Sequence, residues 1–235
     1  MKPGLLSPLA AAVALLALGA CAPKTLELGF VDHIEAGMIE QDVYVEKAAG
    51  SGEVFRINPE EFETYKNAQV FATTRVVHHS PFNPDANGPY PKGRTLGITL
   101  ADWLSASGSA SYVCEGNQGT IDASFTRLVP YGLYTMWYAF AGKGHMGCKD
   151  CPFATVDFPM GNPDGSQSSF TAGADGSAGF KLDFSPCLEL SGARLMAMLA
   201  IAYHSDGNTY GPDPGPFGLG SHVQLFAPLP DKGAM

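Results

Sequence analysis

The chain has 235 residues and a formal net charge of −9 at pH 7, from 14 Lys and Arg against 23 Asp and Glu. Because so acidic a chain, without a cluster of Lys and Arg, suits neither nucleic acid nor an anionic lipid surface, we expect no nucleic-acid partner. The 28 Gly and 18 Pro are typical of short strands joined by turns and argue against a mainly helical fold.

Residues 1–20 have the features of a secretory signal peptide. Lys2 supplies a positive charge, Leu9 to Leu18 is an apolar stretch too short to span a bilayer, and small residues follow it. Beyond this window, Gly, Pro or charged residues interrupt every apolar run, so we expect no transmembrane helix. Cleavage after residue 20 leaves about 215 residues and, by removing Lys2, changes the formal net charge from −9 to −10.

The four residues Leu18-Gly19-Ala20-Cys21 resemble the lipobox of bacterial lipoproteins. The resemblance implies that the signal is removed before Cys21 and that its thiol carries a lipid, which makes the membrane a partner through this anchor. Ala22 favours the outer membrane under the sorting rule that accompanies the lipobox. We therefore expect a lipid-anchored protein of the bacterial cell envelope. The alternative is an ordinary cleavable signal in which the Cys has no role.

Two short helices are predicted in a chain otherwise composed of strands. Asn58-Pro59-Glu60 begins with an N-cap residue, a Pro at the first helical position and an acid in the first turn, which predicts a helix over 59–66. Thr99 to Leu104 is the second candidate. Strands are predicted over 42–47, 53–57, 68–77, 110–115, 119–128, 132–140, 153–158, 168–172, 178–184, 195–204 and 222–227.

These strands predict an all-β fold, an antiparallel β-sandwich of the Ig-like or jelly-roll type. Residues 132–140 and 195–203 are apolar almost throughout, which predicts central strands covered on both faces, although 195–202 could equally be a buried helix. We assign the signal peptide to 1–20, a strand-rich extension to 21–80, a Pro/Gly-rich loop or linker to 81–93 and the sandwich to 94–235.

The cysteines support the prediction of export. Of the five, Cys21 is assigned to the lipid, which leaves an even set of four. An even set in an oxidising envelope favours disulfides. Four cysteines allow three connectivities, of which we favour Cys114 with Cys187 and Cys148 with Cys151.

Histidines mark the ends of two long loops. His204 ends one predicted strand and His222 begins the next, while His78 and His79 precede the Pro-rich loop. Imidazoles that converge at one rim of the sandwich would suit copper or zinc as a cofactor. The alternative is that these side chains bond backbone groups left unpaired by the irregular loops.

The segment from Gly142 to Cys151 offers a second set of soft ligands. His145, Met146 and Cys148 lie close together in sequence, as copper(I) ligands do, or zinc ligands if the thiols are reduced. The alternative, which we favour in an oxidising compartment, is a small disulfide loop.

Polar and aromatic side chains in the long loops are candidates for ligand binding. Tyr90, Asp206, Tyr210 and Phe217 would suit a small molecule, a glycan or an envelope protein as the partner. Their alternative role is to anchor the loops to the sandwich.

A hydrolase would need a nucleophile, a base and an orienting group. Ser205 lies between His204 and Asp206, but the members of a catalytic triad converge from separate segments, so adjacency does not predict one. We therefore predict a non-enzymatic binding module that acts through long loops at one end of the sandwich. The alternative is a copper- or zinc-binding protein or a metal-dependent enzyme.

Overall fold

The computed structural model of the protein describes residues 25–36, 42–77, 87–142, 155–192 and 195–232. The strands in this part are β1 Thr25–Phe30, β2 Tyr44–Val45, β3 Glu53–Val54, β4 Gln69–Thr73, β5 Tyr90–Thr99, β6 Ser107–Glu115, β7 Gln118–Thr126, β8 Leu133–Gly142, β9 Thr155–Pro159, β10 Ser169–Thr171, β11 Ala178–Phe184, β12 Leu195–His204 and β13 Ser221–Pro228. The helices are a 3-10 turn at Pro59–Glu61, α1 Phe62–Tyr65 and α2 Leu100–Leu104. None of the helices in these ranges has the length and apolar character to cross a membrane.

Two antiparallel sheets pack face to face around the main core. One has the order β1-β6-β7-β11, and the other has the order β10-β8-β12-β13 with β9 also paired to β8. Ile121 and Phe125 of the first sheet and Leu199 and Ile201 of the second are at most 1% exposed and belong to one apolar cluster. This arrangement confirms the predicted antiparallel β-sandwich.

Side-chain alternation explains how these strands face the core. Along β7, Ile121, Ala123 and Phe125 are buried while Asp122 and Ser124 are exposed, the pattern of a strand with one dry face. By contrast, β8 and β12 are covered on both faces. Their outward residues form a second buried cluster that includes Trp137, Met198 and Ala200. The predicted central strands are thus confirmed, and the helical alternative for 195–202 was wrong.

A third sheet, in the order β2-β4-β5-β3, packs beside the sandwich together with α2. Gly93 of β5 passes close to β4, since a Cβ at this position would lie 2.6 Å from the Thr73 carbonyl oxygen. The N-terminal strand β1 pairs with β6 and so belongs to the first sheet of the sandwich. The domain boundaries remain a prediction, although residues 90–93 of the expected linker begin β5.

Both helices form where capping residues predict them. Pro59–Glu61 follows Asn58 with a Pro in its first turn, and α1 continues directly from it. At α2, the Asp102 amide donates to Thr99 Oγ1 at 3.1 Å and the Thr99 amide donates to Asp102 Oδ2 at 2.9 Å, a reciprocal capping box. Local sequence is therefore sufficient to set both helix starts.

The predicted pairing of Cys114 with Cys187 is confirmed. The bond joins the end of β6 to the segment that follows β11, two strands of the same sheet. Cys148 and Cys151 lie outside the described residues, so the disulfide between them stays a prediction. Cys21 also lies outside the described residues, and its lipid anchor stays a prediction.

Replacing Cys114 and Cys187 together with Ser is expected to lower the free energy of unfolding by about 4 kcal/mol, because the bond closes a loop over a sequence separation of 73 residues. Urea denaturation of the oxidised wild type and of the double variant measures the difference. A loss below about 1 kcal/mol would show that the bond contributes little to this fold.

Candidate functional site

Several loops meet at the end of the sandwich where β12 stops and β13 starts. The connection 205–220 is closed at its base by a hydrogen bond from the Ser205 amide to the Gly220 carbonyl oxygen at 2.9 Å. It then crosses to the end of β4, where the Thr73 amide donates to Gly218 at 2.7 Å and the Val77 amide donates to Phe217 at 2.9 Å. The 205–220 loop and the segment that leads into residues 78–86 therefore lie at one rim.

His222 is buried at this rim, and both of its ring nitrogens have partners. Nδ1 lies 2.7 Å from the Asp42 carbonyl oxygen, and Nε2 lies 2.9 Å from Ser205 Oγ. Since a carbonyl oxygen only accepts, Nδ1 carries the hydrogen, and Nε2 of the neutral ring accepts from the Ser205 hydroxyl. Burial lowers the pKa of His222, although Asp42 opposes this effect, so the ring is held in its neutral form.

Asp42 is fixed in turn by a buried ion pair. Its Oδ1 lies 3.4 Å from Arg56 Nη2, and its Oδ2 accepts from the Val223 amide at 3.0 Å. Both charged side chains are fully buried. A carboxylate that is anchored on both oxygens holds its own backbone in place, and that backbone carries the carbonyl group that orients His222.

Ser205 lies in the turn after β12 and is half-buried. Arg94 Nη2, which comes from β5, donates to Ser205 Oγ at 3.0 Å. The serine hydroxyl has a second acceptor in the Gly220 carbonyl oxygen at 3.4 Å, but His222 Nε2 is the closer one. Ser205 Oγ thus accepts from a guanidinium and donates to an imidazole.

A second polar pair stands beside this group. The Tyr210 hydroxyl donates to Asp206 Oδ2, and the Asn208 amide donates to Asp206 Oδ1 at 3.1 Å. Burial acts to raise the pKa of Asp206, but these hydrogen bonds outweigh it, so the pKa lies below its ordinary value. The pKa of Tyr210 is raised to about 12 by burial and by its bond to Asp206. At neutral pH Asp206 is a carboxylate and Tyr210 is a phenol.

A cleft of about 350 Å³ opens between these loops and the third sheet. It is lined by Thr73, Thr74, Gly93, Arg94, Asp206 and Leu219. The described residues place no carboxylate within salt-bridge distance of the exposed Arg94 guanidinium. A cation and an anion therefore border the same cleft without neutralising each other by direct contact.

His204 lies at the same end but faces away from His222. Across the β12–β13 pair, His204 is opposite Ser221 while Tyr203 is opposite His222. Because neighbours along a strand point to opposite faces, the two imidazoles lie on opposite sides of the sheet. His204 Nε2 is 2.7 Å from Thr135 Oγ1, and burial lowers the pKa of His204 to about 4.

The structure therefore does not bring His204 and His222 to a shared ion. The described part of the chain contains no group of three or more His, Cys, Asp or Glu side chains that could hold a metal. His78 and His79 lie outside it, so their part in the copper or zinc hypothesis stays a prediction. The structure shows that the His222 ring bonds a backbone group, the Asp42 carbonyl oxygen, which lies outside the two Gly/Pro-rich loops.

The aromatic candidates anchor the loops rather than line the cleft. The Tyr90 ring packs against Tyr44 with centroids 5.3 Å apart, and Phe217 packs against the outer apolar cluster of β8 and β12. Sequence reasoning missed Arg94 and Asp42. Arg94 lies in a stretch rich in Gly and Pro, and Asp42 is 180 residues from His222, so no local pattern reveals either contact.

We compared the chain with protein-family models, with curated proteins and with solved structures. None of them matches it.

Proposed function

We propose that the protein is a binding module of the bacterial cell envelope that holds a small hydroxylated organic acid, such as a sugar acid, in the cleft beside Arg94. The lipobox-like residues at Cys21 support the envelope location and the membrane anchor. The proposal for the ligand depends on one observation, the open cleft bordered by the exposed Arg94 guanidinium and the Asp206 carboxylate.

The chemistry of the lining defines the ligand class. A guanidinium binds a carboxylate through parallel N–H donors, which makes Arg94 the natural partner for an acid group. The ionised Asp206 accepts hydrogen bonds from hydroxyl groups, and the exposed Thr74 adds a hydroxyl that both donates and accepts. A molecule with one carboxylate and several hydroxyls satisfies all three side chains.

The cleft is also of suitable size and rigidity. Its volume of about 350 Å³ is at the lower end of small-molecule sites. The bond between Tyr210 and Asp206 fixes the loop on one side. On the other side, Gly93 leaves no room for a side chain against the carbonyl oxygens of β4. Little conformational entropy is then lost when a ligand enters.

Titration calorimetry with glucuronate, and with uncharged glucose as the paired ligand, tests the proposal. We expect glucuronate to bind and glucose to bind at least tenfold more weakly, because a hydrogen bond to a charged group contributes about 1.5–3 kcal/mol. Arg94→Met should lower the affinity for glucuronate by a similar factor. Arg75→Met is the matched control, since Arg75 is exposed but does not line the cleft.

Three results would overturn this proposal. The first is the absence of glucuronate binding to the wild type, which would reject this ligand class. The second is equal binding of glucose and glucuronate, which would show that no cation binds the acid group. The third is an Arg94→Met variant with unchanged affinity, which would place the ligand elsewhere.

A further inference from the structure

We infer that Ser205 is a nucleophile activated by His222, so that the protein cleaves small carboxylic esters through an acyl-serine intermediate. This inference rests on the proposed function to the extent that the substrate enters the same cleft beside Arg94. It goes beyond that function because binding alone needs no activated hydroxyl.

The first support is the order of the hydrogen bonds. Ser205 Oγ, His222 Nε2, His222 Nδ1 and the Asp42 carbonyl oxygen form one chain with steps of 2.9 and 2.7 Å. These are a nucleophile, a base and an orienting acceptor, and they come from three separate segments of the chain. Here a backbone carbonyl group fixes the tautomer, in the role that a carboxylate has in many serine hydrolases.

The second support is that the base is held rigidly. The His222 ring is fully buried, with the Tyr203 ring centroid 6.2 Å away and the Trp103 ring centroid 6.5 Å away. Its hydrogen bond to Asp42 prevents a ring flip, because the flip would leave an N–H group without an acceptor in a dry site. Nε2 therefore stays directed at Ser205.

The third support is Arg94. Its Nη2 donates to Ser205 Oγ at 3.0 Å, which stabilises negative charge on that oxygen as its proton leaves. A guanidinium has five N–H donors, and Arg94 lines the cleft, so donors other than the one on Ser205 are free to meet a carbonyl oxygen of the substrate. One cation thus serves both the alkoxide and the oxyanion that forms after attack.

The position of Ser205 sets it apart from other serines near the rim. Ser221, on the neighbouring strand, is fully buried and cannot meet a substrate. Ser205 is half-buried, and it precedes Asp206, which lines the cleft. The Asp206 carboxylate lies close to the backbone of Gly220, where a Cβ would be 2.6 Å from Asp206 Oδ2.

The reaction balances without any other reagent than water. Ser205 Oγ bonds to the ester carbonyl carbon while its proton passes to His222 Nε2, and the electron pair of the C=O bond moves to the oxygen beside Arg94. When that pair returns, the bond to the alcohol breaks and His222 gives its proton to the leaving oxygen. Water, deprotonated by Nε2, then attacks the acyl group, and Ser205 leaves with the proton. Ester and water become acid and alcohol.

Two probes test the inference on the full chain, p-nitrophenyl acetate for turnover and phenylmethylsulfonyl fluoride for covalent labelling. We expect one sulfonyl adduct per chain, located on Ser205 by peptide mass spectrometry. Ser205→Ala should reduce the release of p-nitrophenol by at least about 100-fold, because the nucleophile and its base act as a unit. Ser109→Ala is the matched control, since Ser109 is exposed on β6 in the opposite sheet.

Binding of glucuronate separates this inference from the proposed function. Ser205→Ala should lose turnover, while Arg75→Met, which changes an exposed residue that does not line the cleft, should keep both turnover and glucuronate binding. Wild-type protein that binds glucuronate but neither hydrolyses the ester nor takes up the sulfonyl group would overturn the inference and leave the binding function standing. Turnover that persists in Ser205→Ala would also overturn it. Ester cleavage at Ser205 without glucuronate binding would reject only the proposed ligand.

Discussion

Replacing Arg56 with Met is expected to lower the free energy of unfolding by about 3–5 kcal/mol. Arg56 and Asp42 lie 3.4 Å apart with both side chains fully buried. Methionine fills much of the same volume, but it removes the guanidinium that pairs with the Asp42 carboxylate in a fully buried site. An uncompensated buried charge is among the most destabilising changes a core can undergo. Urea denaturation at pH 7 measures the loss.

A matched pair on the surface provides the control. Lys66 lies 2.8 Å from Glu63, with more than a third of each side chain exposed, so Lys66→Met should change the stability by less than about 0.5 kcal/mol. Adding Asp42→Asn to Arg56→Met should recover part of the loss because it removes the buried negative charge with which Arg56 pairs. An Arg56→Met variant within about 1 kcal/mol of the wild type would contradict the assigned role of this pair.

The sandwich itself could be predicted because the order of apolar and polar residues along a strand shows which of its faces is buried. Along β7, Ile121, Ala123 and Phe125 alternate with polar residues, and the same period of two appears in the observed burial. In β12 the apolar run is continuous, and strands covered on both faces produce this pattern. The pattern of apolar residues was therefore sufficient to predict an antiparallel sandwich, while the order of the strands in its two sheets is known only from the structure.

The third sheet was harder to predict because β5 is extended through its pairing with β3 and β4 and not through the strand preference of its own residues. Its sequence contains Pro91, Gly93 and Gly97, which are turn residues by any local rule. In the structure Pro91 pairs with Glu53 and Gly93 passes beside the carbonyl groups of β4. Position 93 requires glycine because the backbone of β4, about 20 residues earlier in the chain, passes close to it. That contact cannot be recognised from a single sequence.

For the candidate site, the sequence predicted which end of the sandwich carries the two histidines, but it did not predict which residues contact them. The ends of β12 and β13 placed His204 and His222 correctly at one end of the sandwich. Which face each occupies depends on the register, and a bulge between Ile201 and Ala202 shifts that register by one residue. Because one residue reverses the face of a side chain, the expected convergence of the two imidazoles on one ion could not be tested before the strand pairing was known.

The buried polar groups at the rim form a network that also links the separate sheets. Tyr134 donates to Gln224 Oε1 at 2.8 Å and accepts from the Val129 amide at 2.9 Å, while Gln224 Nε2 donates to the Trp103 carbonyl oxygen at 3.0 Å. These bonds connect β8, β13 and the helix beside the third sheet. Since buried polar groups cost free energy unless they are satisfied, this network favours one relative arrangement of the parts. The cleft and the Ser205–His222 pair depend on that arrangement.

Lowering the pH from 7.5 to 5 is expected to destabilise the fold by about 2 kcal/mol through His204 alone, since its pKa is lowered from 6.5 to about 4 by burial. Between these two values the unfolded chain takes up a proton that the folded chain does not, so stability is present above pH 6.5 and is lost as the pH falls toward 4. The geometry agrees with a neutral ring. His204 Nδ1 has no hydrogen-bond partner in the described part of the chain, so a second N–H group would be buried without an acceptor.

Urea denaturation of the wild type and of His204→Gln at pH 7.5 and pH 5 isolates this contribution. Glutamine does not titrate, so the drop in stability should be about 2 kcal/mol smaller in the variant than in the wild type. A residual drop is expected because burial also lowers the pKa of His222, which acts in the same direction. Equal drops in the two proteins would mean that His204 is protonated as readily in the fold as in the unfolded chain, and that its burial beside Thr135 does not exclude the charged form.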